Sequence, residues 1–193
     1  DDERTLALQH RLPAPDARII TFGFSAEADV RGEHVALLRP STTLRTSDVG
    51  ESRWPIGMTA QITSEGVSVP VSVAGSVGPH AFVPALAAAA VGRALGKDLS
   101  GLVGALERYS PPPGRMRLIP GVKDTLVVDD TYNASPAATT AALETLTLIA
   151  PEGRRIAAIG DMLELGRHSV EEHRKIGEKA AAACDLLFTV GFR

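Results

Sequence analysis

The sequence is poor in cysteine and in long apolar runs. Cys184 is its only cysteine, so no intramolecular disulfide can form and a reducing compartment is expected. No apolar run approaches the roughly 18 residues that a membrane-spanning helix needs, and no signal peptide opens the chain. These shortages predict a soluble, cytoplasmic protein without a membrane partner.

The sequence also lacks a large excess of positive or negative charge. The formal net charge of -3 is spread without a basic block, which argues against a nucleic-acid partner. With 44% hydrophobic and 22% charged residues, the 193-residue chain is expected to fold as one large or two small domains. His168 and His173 are five residues apart and do not share a helix face, so no metal site is predicted.

The most informative segment follows the apolar run at residues 126–128. Residues 129–136 read Asp-Asp-Thr-Tyr-Asn-Ala-Ser-Pro, which predicts a buried strand ending in polar side chains before a helix. Ser135 suits the N-cap of that helix and Pro136 its first position. Ligands of open α/β sheets bind at the carboxyl ends of strands, so this loop is a candidate site. The alternative is that it only caps the helix.

The second half of the chain alternates between strand and helix patterns, which indicates an α/β fold with a parallel sheet. Ser169 and Glu172 predict a capping box on the last helix. The predicted strands are 125–129, 156–160 and 186–190, and the predicted helices are 136–149 and 170–184.

The first half has a different pattern. An alternating hairpin and two helices follow a first strand and a long loop, and Pro70 is expected on an edge strand. Three prolines at 111–113 predict a domain boundary. The expected elements are an N-terminal helix through Leu6, Leu8 and Leu12, strands 17–24, 58–63 and 67–73, a loop at 39–57, and helices 82–95 and 99–109.

Two motifs together resemble the ATP-dependent Mur ligases of peptidoglycan synthesis. One is Asp-Asp-Thr-Tyr-Asn-Ala at 129–134, and the other is Gly-Asp-Met-Leu-Glu-Leu-Gly at 160–166; Pro-Gly-Arg-Met at 113–116 supports them. The resemblance implies that residues 1–112 are the C-terminal part of the family's central ATPase domain. Residues 113–193 would then be the N-terminal half of its C-terminal domain, a Rossmann-like parallel sheet.

The resemblance also implies a reaction. The chain would be part of a ligase that joins D-alanyl-D-alanine to UDP-MurNAc-tripeptide through an acyl phosphate, with ATP and Mg²⁺ as cofactors. The sequence contains no G-x-x-x-x-G-K-[ST] loop, and residues 92–98 come nearest to one but are one residue short. The P-loop and the main Mg²⁺ ligands are therefore expected upstream of Asp1, in the remainder of the ligase chain. This segment alone is predicted to be inactive.

Four residues are carried over from the family as binding residues. Arg115 matches the arginine that contacts the ATP ribose and phosphates, and a guanidinium suits that role because it offers bidentate donors. Asp130 matches the aspartate that reaches the ribose hydroxyls. Tyr132 and Asn133 are expected to position the peptide acceptor or the nucleotide. Asp129 is expected to orient its neighbours or to cap the loop.

The sequence departs from the family in the segment at residues 78–85. His80 is kept, but Ala81 and Pro84 replace two asparagines, the second of which approaches the adenine in the family. The contact with the base is therefore in doubt. Ser135 likewise replaces the usual Asn of its motif.

Further interpretations stay open from the sequence. Asp161 and Glu164 are expected either to line the site or to stabilise a turn. Both ends of the chain resemble cut edges, yet a naturally short, non-catalytic module that binds a nucleotide or a UDP-sugar-peptide is an alternative. A third possibility is a Mur-like ligase with another amino-acid acceptor.

Overall fold

The structure, a computed structural model, describes residues 5, 7, 8, 18–40, 54–150 and 152–192. Most of the predicted N-terminal helix, including Leu6 and Leu12, lies outside the described residues, as do Asp1, Asp2 and the middle of the predicted loop at 41–53. In the described part of the chain, no helix is long and apolar enough to span a membrane.

The first half is built on a four-stranded sheet in the order β1-β2-β3-β4. Its strands are β1 (Phe22–Gly23), β2 (Val30–Leu38), β3 (Gly57–Ser64) and β4 (Val67–Ala74). β1 pairs with β2 in parallel, and the other neighbours are antiparallel. Glu65 and Gly66 both have positive φ, as the tight turn of the β3–β4 hairpin requires.

The first two strands differ from the prediction. The strand expected at 17–24 shortens to two residues, because the Asp29 carboxylate accepts the backbone N–H of Thr21 and removes it from any ladder. β2 was not predicted, since its apolar alternation is interrupted by a bulge between Glu33 and Ala36, where His34 has φ +51°.

The hairpin prediction is confirmed, with one correction at its turn. Val69, Val71 and Val73 are buried, in agreement with the alternating pattern, whereas Val67, the first residue of β4 after the turn, is 48% exposed. Pro70 points outward on β4, which is an edge strand of the described sheet.

Two helices cover this sheet, α1 (Val83–Ala94) and α2 (Leu99–Leu106), and a short 3₁₀ helix (Pro79–Phe82) leads into α1. α1 ends at Ala94 and is followed closely by Gly96, whose φ is +75°. Its N–H donates to the Arg93 carbonyl and that of Lys97 to the Gly92 carbonyl, which is the Schellman pattern.

The second half contains the predicted α/β elements. Strands β5 (Arg117–Pro120) and β6 (Leu126–Asp129) form an antiparallel pair, and β7 (Ile156–Gly160) and β8 (Leu186–Val190) form a parallel pair. Helix α3 (Pro136–Ile149) connects β6 to β7, and α4 (Ser169–Ala183) connects β7 to β8. The α/β class and the parallel β7–β8 unit agree with the prediction.

Two local expectations for the second half are wrong. β6 is not covered on both faces, since Val127 is 48% exposed; β6 pairs with β5, a short strand that the sequence did not reveal. The capping box is also absent. His168 occupies the N-cap without a side-chain hydrogen bond, and Ser169 is already the first helical residue, because a 3₁₀ turn (Gly166–His168) runs directly into α4.

A continuous apolar core crosses the predicted domain boundary. Met116, Ile149 and Ala150 belong to the same buried cluster as the sheet and α1, while Leu143, Ala157 and Ala180 form a second, smaller one. Backbone hydrogen bonds reinforce the junction: Leu118 N–H donates to the Gly75 carbonyl over 2.9 Å. Trp54 also bridges it, with its indole N–H on the Asp124 carbonyl at 3.0 Å. The boundary after residue 112 stays a prediction.

Two valines of β4, one buried and one exposed, test the burial pattern of this strand. Val71→Ala should lower the free energy of unfolding by about 2–3 kcal/mol, because two fully buried methyl groups are lost and a cavity remains. Val67→Ala should cost less than about 0.5 kcal/mol, since Val67 is exposed. Urea unfolding of the two variants measures the difference, and equal losses would contradict the assigned burial.

Candidate functional site

Two segments distant in sequence meet at the carboxyl end of β6. The N–H of Gly114 donates to Asp129 Oδ2 over 3.0 Å, and the N–H of Met116 donates to Asp130 Oδ1 over 3.1 Å. In the opposite direction, the N–H of Tyr132 donates to the Gly114 carbonyl over 3.2 Å. The Pro-Gly-Arg-Met segment is therefore fastened to the strand end on both sides of Arg115.

Gly114 makes the close approach possible. Its φ is +74°, and a Cβ at this position would lie 2.8 Å from the Tyr132 nitrogen and 3.1 Å from the Tyr132 Cβ. Any larger residue would therefore meet backbone, which cannot move aside cheaply. Met116 has φ +51° without being glycine, and its side chain is 4% exposed in the core. Burial of this side chain offsets the backbone strain.

Asp129 organises the turn that follows β6. Its Oδ1 accepts the Thr131 hydroxyl at 2.7 Å and the Thr131 N–H at 3.3 Å, in addition to the Gly114 bond on Oδ2. The hydroxyl of Thr131 is the main cause that holds the pKa of Asp129 below its usual range, and desolvation opposes it. The backbone N–H donors and the charge of Arg117 lower the pKa further by smaller amounts. The expectation that Asp129 orients its neighbours agrees with these bonds.

Arg115 lies exposed between the two fastened residues. Its guanidinium carbon is 4.0 Å from the centroid of the Tyr132 ring, which is a cation–π geometry. No hydrogen bond or ion pair joins Arg115 to another residue in the described part of the chain, although two carboxylates are close in sequence and space. The guanidinium donors of Arg115 are therefore unpaired in the described part of the chain.

Three other predicted residues lie at or just after the same end of β6. Asp130 uses only one carboxylate oxygen on Met116, so the second can accept from a ligand hydroxyl. Tyr132 is 69% exposed and Asn133 is exposed. Ser135 accepts the Ala138 N–H at 3.3 Å as the N-cap of α3, so replacing the family's Asn by Ser preserves the helix start. The structure therefore groups Arg115, Asp130 and Tyr132, with Asn133 beside them in sequence.

His80 lies at the contact between the 3₁₀ helix and α3. A Cβ on Gly78 would touch both the His80 ring and the Thr145 hydroxyl, at 2.5 and 2.7 Å, so these groups pack together over the glycine. Burial lowers the pKa of His80, and the negative charges of Asp130 and Glu144 oppose that shift. An apolar cavity of about 350 Å³ adjoins it, lined by Phe24, Pro79, His80, Val83, Ala141, Glu144, Thr145 and Leu148.

The second motif forms a separately organised turn. Asp161 Oδ2 accepts the Phe192 N–H at 2.9 Å, so it joins the end of β7 to the residues after β8. His173 Nε2 accepts the Met162 N–H at 3.0 Å, which leaves Nδ1 to donate to the Ser169 carbonyl at 2.8 Å. These contacts give Asp161 a role in stabilising the turn. Glu164 is exposed, with φ +64°.

Among the residues that the structure describes, no group of three or more His, Cys, Asp or Glu side chains could hold a metal ion. The sequence did not reveal that Gly114 and Met116 belong to the site, because they contribute backbone N–H groups and not side-chain chemistry. The only signal for them is the Pro-Gly-Arg-Met string at 113–116.

Parts of this chain are similar to known proteins. The family model "Mur ligase, glutamate ligase domain" matches residues 114–193, the part that carries Arg115 and both strand-end motifs. Residues 114–193 are therefore similar to the Mur ligases, and so are the curated relatives and solved structures that match this chain. It spans about a quarter of the length of the curated relatives it matches.

These relatives define one branch of the family. The UDP-N-acetylmuramoyl-tripeptide–D-alanyl-D-alanine ligase of Escherichia coli K12 is 37% identical over 115 residues, which cover 59% of this chain and 25% of the relative. The ligase of the same name from Mycobacterium tuberculosis H37Rv is 38% identical over 112 residues, 55% of this chain and 22% of the relative.

Solved structures have the same fold. MurF from Acinetobacter baumannii superposes on all of this chain and on 37% of its own length, with a TM-score of 0.79 and 28% identity. MurF from Thermotoga maritima, solved in complex with ADP, has a TM-score of 0.74 at 24% identity, covers 95% of this chain and 38% of its own, and supports the fold alone.

Gly114→Ala tests the fastening of the Arg115 segment. The variant should lose about 1–2 kcal/mol of unfolding free energy from its positive φ, and more from the collision with Tyr132. Gly96→Ala is the matched control, because Gly96 has nearly the same φ of +75° with nothing within 4 Å of a Cβ. Urea unfolding should therefore rank Gly114→Ala as the more destabilised variant. Equal losses would mean that the close approach is absent.

The titration of Asp129 provides a second test. Because its folded pKa is lowered, its contribution to stability is present above the unfolded pKa of about 3.9 and is lost as the pH falls through the folded value. The carboxyl carbon of Asp129 should titrate by NMR with a midpoint below about 3.9, and the Gly114 amide should shift with it. Asp129→Asn should abolish that amide shift. A midpoint at or above the unfolded value would contradict the assigned bonds.

Proposed function

We propose that this chain is part of a cytoplasmic, ATP-dependent ligase that joins D-alanyl-D-alanine to UDP-MurNAc-tripeptide in peptidoglycan synthesis. The observation that carries the proposal is the unpaired guanidinium of Arg115, whose two flanking residues are hydrogen-bonded through their backbone N–H groups to the carboxylates at the end of β6. Such an arrangement suits an oxyanion ligand of the phosphate class. The relatives named for this reaction support the choice of substrates.

In this proposal Arg115 and Asp130 hold the nucleotide from one side. The guanidinium of Arg115 offers paired donors to phosphate oxygens, and the free oxygen of Asp130 accepts from a ribose hydroxyl. In a nucleotide the ribose diol and the phosphate chain are attached to the same sugar ring, so an acceptor and a cation side by side fit ATP or ADP better than a lone phosphate.

The same residues would assist acyl-phosphate formation by electrostatics. Negative charge is redistributed over the transferred phosphoryl group as the carboxylate of the tripeptide attacks it, and a fixed cation stabilises that charge. Mg²⁺ supplies further charge neutralisation when it is bound. The described residues contain no three-ligand metal group, so its main ligands are assigned to the part of the ligase that carries the P-loop.

Tyr132 and Asn133 complete the proposed site next to the nucleotide residues. Both side chains are exposed at the strand end, and the amide of Asn133 makes no hydrogen bond with another residue in the described ranges. An amide offers both a donor and an acceptor, which suits either the peptide acceptor or the nucleotide. Ala81 and Pro84 offer no side-chain hydrogen bond to the adenine. We therefore propose either that backbone groups bind the base or that the nucleotide is bound more weakly.

A chimera tests the proposal and separates it from a non-catalytic binding module. We would replace the region of Acinetobacter baumannii MurF that superposes on this chain with residues 1–193. The chimera should form UDP-MurNAc-pentapeptide from ATP, UDP-MurNAc-tripeptide and D-alanyl-D-alanine, whereas the 193-residue chain alone should form none. Arg115→Ala should raise the KM for ATP about tenfold, because a charge-assisted contact is lost.

The control variant is Arg108→Ala, which removes an exposed arginine away from the strand end and should leave the KM for ATP unchanged. A folded chimera that binds ADP but makes no product would favour the binding module. An active chimera that uses another amino acid in place of D-alanyl-D-alanine would favour a different acceptor. Product formation that is indifferent to Arg115→Ala would contradict the assigned nucleotide contact.

A further inference from the structure

The contact between Arg115 and Tyr132 indicates a narrower role for the tyrosine than ligand binding. The ring centroid lies 4.0 Å from the guanidinium carbon, and the ring belongs to neither of the two apolar clusters. With 69% of the residue exposed, Tyr132 adds little to the core. Its ring is therefore placed at the strand end for a reason other than fold stability.

Nothing else in the described part of the chain orients the guanidinium. The carboxylates of Asp129 and Asp130 accept backbone N–H groups from the residues on either side of Arg115. Arg115 itself has no hydrogen bond or ion pair in the described residues. An arginine without a partner samples many rotamers, and a ligand must immobilise them when it binds. The Tyr132 ring restricts this freedom before a ligand arrives.

The backbone fixes the ring opposite the guanidinium. The N–H of Tyr132 donates to the Gly114 carbonyl over 3.2 Å, so residue 132 is fastened to the residue that precedes Arg115. A ring stacked on the face of a guanidinium leaves the in-plane N–H donors uncovered. Stacking on Tyr132 and bidentate binding of an oxyanion are thus compatible in the same arginine.

We infer that Tyr132 is a positioning residue for Arg115, which it holds by cation–π stacking in readiness for a phosphate oxyanion of a nucleoside polyphosphate. The inference rests on the proposed function for the identity of that ligand. The ring face provides the interaction, and the phenol hydroxyl makes no hydrogen bond in the described residues. Phenylalanine at position 132 should therefore preserve the stacking on Arg115, whereas an aliphatic residue should abolish it.

NMR of the 193-residue chain tests the stacking without a ligand. In the wild type, the Arg115 Nε–H signal should be displaced by the ring current of Tyr132. Tyr132→Phe should preserve that displacement and Tyr132→Leu should abolish it. Tyr109→Leu is the control, because it removes the only other tyrosine and should leave the Arg115 signal unchanged. An Arg115 signal that is the same in Tyr132→Leu and in the wild type would overturn the inference.

Titration of the chimera with ADP then tests the consequence of the stacking, because the chimera includes the part of the ligase to which the P-loop is assigned. Tyr132→Leu should bind ADP about two- to fivefold more weakly than the wild type, and Tyr132→Phe should bind it as tightly. Equal affinity of Tyr132→Leu and the wild type would overturn the inference even if the stacking is present. A chimera whose Arg115 signal is displaced by the ring but does not respond to ADP would contradict the proposed function, and with it the ligand assigned to the stacked arginine. Amide spectra with native dispersion establish that each variant is folded.

Discussion

The candidate site depends on one interaction, the acceptance of two backbone N–H groups by the carboxylates that end β6. Asp129 and Asp130 would be obvious partners for a nearby arginine, and a salt bridge would neutralise the cation. Their bonds to Gly114 and Met116 instead bring Arg115 to the strand end while leaving its donors free. The negative charge of the two carboxylates therefore favours an arginine at this position, while the N–H donors of its guanidinium stay unpaired. Unpaired donors are what binding of an anion from solution requires.

The remainder of the fold holds these two segments in register. β5 begins one residue after Met116 and pairs along its whole length with β6, so the antiparallel ladder sets the separation of the residues before β5 from those after β6. The buried side chain of Met116 and the backbone bond from Leu118 to Gly75 connect the same ladder to the first sheet. The site is thus built at a junction, where the core of the first half continues into the second.

Much of the second half could be predicted because its signals are local. The helix Pro136–Ile149 and the strands Ile156–Gly160 and Leu186–Val190 have the expected bounds, since a Ser-Pro cap and unbroken apolar runs define them. β2 was missed because its bulge shifts the alternation, and the capping box failed because a 3₁₀ turn displaced the helix start. At the site, Arg115, Asp130 and Tyr132 could be named from motifs. Their arrangement could not, since it depends on hydrogen bonds between groups 14 and 15 residues apart and on the close approach at Gly114.

Amide hydrogen exchange at Gly114 and Met116 tests the central claim most directly. If the carboxylates hold this segment, both amides are protected at neutral pH to a degree comparable with the Leu118 amide of the neighbouring ladder. Asp129→Ala should then release the Gly114 amide alone, and Asp130→Ala the Met116 amide alone. Unprotected exchange of both amides in the wild-type chain, or protection that survives loss of the matching carboxylate, would contradict the account.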